Sequence, residues 1–137
     1  MAANLFRRGT LLMPSGPAND PWRMHLHIIC TDPDEEGHQL LVPICSIRGD
    51  IYDRTCELWA GTHSTVHHPS YVAYRHADLA RNDRLRVRIE ERVLVPREDL
   101  NGQDFLRVTR GITASKHTPN KIKAHYLEVE RRITEAA

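Results

Sequence analysis

Residues 22–46 read WRMHLHIICTDPDEEGHQLLVPICS, and this stretch decides the fold. From Met24 to Thr31 the alternation sets Met24, Leu26, Ile28 and Cys30 on one side. His25, His27, Ile29 and Thr31 fall on the other, the two-residue period of a half-buried strand. Asp32-Pro33-Asp34-Glu35-Glu36-Gly37 is an acidic turn, so the apolar run His38 to Ser46 returns as an antiparallel partner and the pair forms a hairpin. Pro43 inside the second run has no N–H to give to a ladder, which places that strand near an edge or a bulge.

Working outward, Thr10 to Met13 is a short strand stopped by Pro14-Ser15-Gly16-Pro17. Thr55 to Trp59 reads as a fourth strand ending at Gly61. Strand geometry is expected again over His63 to His67, until Pro69 breaks it, and over Ser70 to Arg75, where Tyr71, Val72 and Tyr74 favour an extended chain. After His76 charged helix formers take over. Leu85, Ile89 and Val93 recur every four residues behind Asn82-Asp83, a cap, and predict a short helix over 83–92. Phe105, Val108 and Ile112 predict a second helix stopping around Gly111. Thr118 can cap a third, with Pro119 at its first position and an apolar stripe of Ile122, Tyr126, Val129 and Ile133. The fold class is therefore α+β, one domain over 1–137, strand-rich over 1–76 with a helical cover over 77–137.

A chain of 137 residues can bury a core without disulfides or a structural metal. Its 19 Lys and Arg against 18 Asp and Glu leave a net charge of +1, so no global field demands nucleic acid or an anionic membrane, though a local basic patch remains open. Cys30, Cys45 and Cys56 are odd in number and form no CxxC pair, which points to a reducing, cytoplasmic setting. No apolar run approaches the roughly 20 residues of a spanning helix, and the start lacks a signal-peptide core, so no membrane role is expected. Arg48-Gly49-Asp50 marks a loop, and without a secretory context its adhesion reading has no weight.

Three segments resemble the MazF/PemK family of toxin endoribonucleases: RGTLLMPSG over 8–16, WRMHLHIICTD over 22–32, and LLVPICS over 40–46, which is similar to that family's V-x-P-I-T-S strand. The likeness covers about the first third of the chain. It implies a small SH3-like β-barrel with attached helices, metal-independent cleavage of single-stranded RNA, a partner antitoxin protein and a homodimer. By the same resemblance Arg23 and Ser46 are the catalytic candidates. Met24 stands where the family has proline, and Cys45 where it has threonine.

RNA cleavage through the 2′-hydroxyl needs a base, an acid for the leaving 5′-oxygen and a cation for the phosphorane charge. All three types gather around residues 56–75, CELWAGTHSTVHHPSYVAYR. His63 and His68 can supply base and acid, since imidazole is the side chain suited to proton transfer near neutrality. Arg23 or Arg75 can clamp phosphate, Ser46 and Ser70 can donate to it, and Tyr71 or Trp59 can stack an unpaired base. Against this, nine histidines in one chain include surface residues by chance. Cys56, His63 and His68, with His67, are also potential zinc donors. Their spacing fits no finger or ribbon, and Cys45 and Cys56 read more simply as small core hydrophobes, so no metal or cofactor is expected. Lys116, Lys121 and Lys123 flank a helix start that can hold phosphate, with solvated lysines as the plainer reading. The alternatives to a ribonuclease are a non-catalytic SH3-like module binding nucleic acid or protein, and a zinc-dependent hydrolase.

Overall fold

The structure is a computed structural model describing residues 3–136, and it is α+β. Seven antiparallel strands form one sheet: β1 (Thr10–Pro14), β2 (Met24–Ile29), β3 (His38–Ser46), β4 (Glu57–Leu58), β5 (Ser70–Val72), β6 (Asp78–Arg81) and β7 (Val95–Arg97). Three helices pack on it: α1 (Asn82–Glu90), α2 (Gly102–Ala114) and α3 (Asn120–Ala136). The sheet runs β4-β5-β3-β2-β1-β7, with β6 also on β3, and it is open because the end strands β4 and β7 do not pair. No helix among the described residues is long and apolar enough to cross a membrane.

The β2–β3 hairpin is set by its turn. Asp34 Oδ1 accepts the backbone N–H groups of Glu36 (2.9 Å) and His38 (2.8 Å), and Gly37 takes a φ of 84°, a region that favours glycine. The register places Leu26 opposite Ile44 and Ile29 opposite Leu41. β3 is central rather than at an edge, and Pro43 is tolerated for a local reason. Along its outer side β3 pairs first with β6, over His38 to Leu41, and then with β5, over Ile44 to Ser46. Pro43 sits where the neighbour changes. Its carbonyl accepts from Ala73 on that side, so its missing N–H falls in a gap that has no ladder.

Both faces of the sheet carry a core. Leu26, Ile28, Cys30, Leu40 and Val42 meet Phe105, Val108 and Ile112 of α2 and Ile122 of α3. On the opposite face Leu11, Ile29 and Leu41 meet Leu85 of α1, with Leu5 and Leu94. α2 runs one turn past Gly111, because that glycine serves packing and not a helix stop. A Cβ there would come within 1.8 Å of the Tyr74 hydroxyl, which donates to Val108 O at 2.6 Å. The helix is capped by Asn101, which accepts from the Asp104 N–H at 2.9 Å.

Further expectations change. β6 and β7 are strands in a stretch read as helical, His63 to His67 is an irregular loop and not a strand, and the strand from Ser70 ends at Val72 and gives way to a 3-10 turn over Tyr74–His76. The buried Thr118 hydroxyl has no partner among the described residues and so does not cap α3, and Asn82 does not cap α1. Asn82 instead donates to Gln39 Oε1 (2.9 Å) and accepts from Arg86 (2.7 Å), tying the helix to the sheet.

Candidate functional site

Antiparallel pairing brings the start of β2 and the finish of β3 to the same end of the sheet. Arg23, just before β2, and Ser46, the last residue of β3, therefore lie close, and β5 adds Ser70 opposite Ser46 and Tyr71 opposite Cys45. The result is a cavity of about 410 Å³ whose lining includes Arg23, Ser46, His68, Ser70 and Tyr71 from the residues singled out in the sequence. Arg48, Tyr52 and His67 join them, and no Asp or Glu is among the lining residues. In a chain with 18 carboxylates this is a segregation of charge, and it makes the cavity attractive to anions.

Arg23 is exposed, with Nε 3.1 Å from Asp20 Oδ2, a solvent-facing pair of the weak class that an anion can compete for. Arg48 is exposed and has no carboxylate partner among the described residues. Ser70 is buried and its hydroxyl donates to the His68 carbonyl at 2.8 Å, so it fixes the backbone that presents His68. The Tyr52 and Tyr71 rings lie 5.2 Å apart at 41°. Arg54 stacks 4.4 Å above Tyr52 and donates to its hydroxyl, which itself donates to Glu57 Oε1 at 2.7 Å. Burial pushes the Tyr71 hydroxyl and the Cys45 thiol up. His25 lines the edge of the cavity; burial, then Arg23, His76 and Arg48, hold its imidazole below the ordinary value.

His63 lies elsewhere. It is 4 % exposed, its Nε2–H donates to Glu98 O at 2.7 Å, and its Nδ1 accepts from the Thr65 N–H at 3.1 Å and from the Thr65 hydroxyl at 2.8 Å. Thr10 of β1 donates to the same Glu98 carbonyl, while Ser64 donates to Glu98 Oε1 at 2.6 Å and Arg97 to Ser64 Oγ at 3.2 Å. The loop after β4 is thereby stitched to β1 and β7. Trp59 is 73 % exposed, Arg75 sits on a 3-10 turn, Lys121 lies in the first turn of α3, and none of the three lines the cavity. Cys56 is buried in the core beside Leu58. Among the described residues no three His, Cys, Asp or Glu side chains are grouped to hold a metal, so Cys56, His63 and His68 do not form a ligand set.

Sequence reasoning passed over Arg48, Tyr52 and His25. Arg48 is legible as a loop residue only, and its place two residues after β3 brings it to the cavity wall. Tyr52 had a usable signal in the aromatic residue two before Arg54, whereas the neighbourhood of His25 depends on which face of the sheet is left uncovered. Comparison of this chain with family models, curated proteins and solved structures finds no match.

Proposed function

We propose that the chain is a MazF/PemK-like endoribonuclease that cuts single-stranded RNA without a metal, as the toxin partner of an antitoxin protein and as a homodimer. The observation that carries this reading is the carboxylate-free cavity in which two arginines, a serine hydroxyl and two adjacent histidines converge. Arg23 and Arg48 hold the scissile phosphate and take up the charge that grows on it as the 2′-oxygen attacks phosphorus. His68, with His67 beside it, accepts the 2′-hydroxyl proton and returns one to the 5′-oxygen as the P–O5′ bond breaks, leaving a 2′,3′-cyclic phosphate and a 5′-hydroxyl. Ser46 donates to a phosphate oxygen, and Tyr71 stacks an unpaired base.

The same proposal reads the sheet as an SH3-like barrel opened at one seam. What supports it is the loop after β4, whose His63 and Ser64 reach Glu98 across the gap between the end strands. Side-chain hydrogen bonds span the place where a closed barrel would have a ladder.

The test is incubation of the purified full chain with unstructured RNA in EDTA. Cleavage with cyclic-phosphate ends is expected, and it is lost in Arg23→Ala and His68→Ala with the fold intact. Binding without cutting would replace the enzyme by a non-catalytic binding module, and activity that EDTA abolishes would replace it by metal-dependent hydrolysis.

A further inference from the structure

α1 covers only part of its face of the sheet. Leu85 closes over Ile29 and Leu41, but farther along the strands His25, His27, Pro43 and Cys45 share that face without a helix above them. What remains there is a cavity of about 650 Å³, walled by Met13, Pro17 and the strand β6. Its size falls within the roughly 300–1,000 Å³ of small-ligand sites, and its walls have their mostly apolar character.

One polar atom in it is conspicuous. His27 is 9 % exposed, and its Nδ1–H donates to the carbonyl of His25 at 3.1 Å. Burial lowers its pKa to about 4, so at neutral pH the ring carries one proton, and that proton is on Nδ1. Nε2 is left as an acceptor, and no donor among the described residues meets it. Nε2 is not sealed off from solvent, so it opens onto the cavity as an acceptor that a ligand N–H or O–H can reach.

The cavity adjoins the cationic pocket at the end of the sheet. His25 and Cys45 line both, although the cationic pocket is otherwise backed by Leu26 and Ile44 of the opposite face, so a ligand that uses both must pass around His25 and Cys45. A molecule that fills the two together has a phosphate on one side and a flat, mostly apolar body with an N–H edge on the other. We propose that this second cavity is a nucleobase subsite, in which His27 Nε2 accepts an N–H from a base whose own phosphate occupies the neighbouring cationic pocket. The inference rests on the proposed RNA-cleaving function and adds to it the place where one base is read. Asp78 at the rim offers a further acceptor, so guanine, with adjacent N–H donors at N1 and N2, is the best-matched probe.

The experiment titrates the full chain with 5′-GMP and with ribose 5-phosphate by calorimetry. GMP should bind at least about 10-fold more tightly, the increment of one well-made buried hydrogen bond plus ring contact. His27→Phe keeps the ring shape without the acceptor, and Ala80→Leu narrows the cavity from β6. Each should erase the difference while leaving ribose 5-phosphate affinity unchanged. Equal affinity for the two ligands in the unmodified chain overturns the subsite, as does GMP binding that neither substitution alters. Ribose 5-phosphate judges the cationic pocket separately: if GMP binds through His27 and ribose 5-phosphate does not bind at all, the subsite stands and the phosphate-holding role of Arg23 and Arg48 falls.

Discussion

His63 and His68 leave the same loop five residues apart and do opposite things. His63 points inward, has both ring nitrogens engaged, and joins the strand-β4 end of the sheet to the strand-β7 end. His68 is exposed on the wall of the pocket that Arg23 and Arg48 also line. Equal chemistry in the sequence thus divides into a clasp and, under the proposed function, a reactive group. Burial with full hydrogen bonding makes an imidazole structural, whereas an exposed ring keeps its nitrogens free for the proton transfer that the proposal assigns to it.

The largest expected effect lies on the exposed member. His68→Ala should lower RNA cleavage by about 10²–10⁴-fold, the range for losing a general acid or base, with the melting temperature unchanged. A variant that still cuts at the rate of the unmodified chain would break the comparison at once. His67→Ala, measured alongside, tells whether the proton passes through one ring or is shared by the neighbours.

His27 is a third case, buried like His63 yet facing a cavity, and it sharpens the comparison through pH. Its folded-state pKa, about 4, lies below the ordinary 6.5, so the unfolded chain takes up the proton first. Stability should therefore be unaffected above pH 6.5, fall as pH drops toward 4, and level off below that, by a total on the order of 3 kcal/mol. Denaturant unfolding at a series of pH values should show this slope in the unmodified chain. In His27→Phe most of the fall between pH 6.5 and about 4.5 should vanish, leaving there the contribution of His25, which is lowered in the same direction, while the lowered carboxylates such as Glu98 add their own loss at more acid pH.

On the buried member the expected effect is on folding. His63→Ala removes a donor to Glu98 O and opens a small void beneath the loop, which should cost about 2–3 kcal/mol by chemical denaturation. Cleavage per folded molecule should stay close to that of the unmodified chain. If it falls with His63 while stability holds, the division between clasp and reactive group is wrong.

How much of this the residues announce depends on who determines the local structure. The strand His38–Ser46 is legible because an acidic Pro/Gly turn is followed by an unbroken apolar run, and the α3 stripe is legible because Ile122 through Val129 repeats at helical spacing. Asp78–Arg81 and Val95–Arg97 are short, polar or proline-bearing, and they extend only because β3 and β1 present edges to them. The same holds at the pocket. That Arg23 and Ser46 fall at one end of the sheet follows from the hairpin, but the split between His63 and His68 depends on Glu98, 35 residues beyond the first of them. The long-range contact carries the information, and no window around the histidines contains it.

The smallest expected effect tests the clasp from its acid side. Hydrogen bonding from Ser64, against a slight burial penalty and with help from His63, holds the Glu98 carboxyl below its usual range. A depressed carboxylate stabilises the fold above its unfolded pKa of 4.5 and loses that contribution as pH falls through the folded value. Because the Glu98 side chain is 51 % exposed, solvent screening limits the gain to below about 1 kcal/mol. Glu98→Gln should therefore unfold slightly earlier than the unmodified chain at pH 7, and the gap should close as pH drops below about 4. A gap that persists unchanged in acid would mean that the side chain's shape, and not its charge, holds the loop against β7, leaving the backbone carbonyl of Glu98 as the seam's main acceptor.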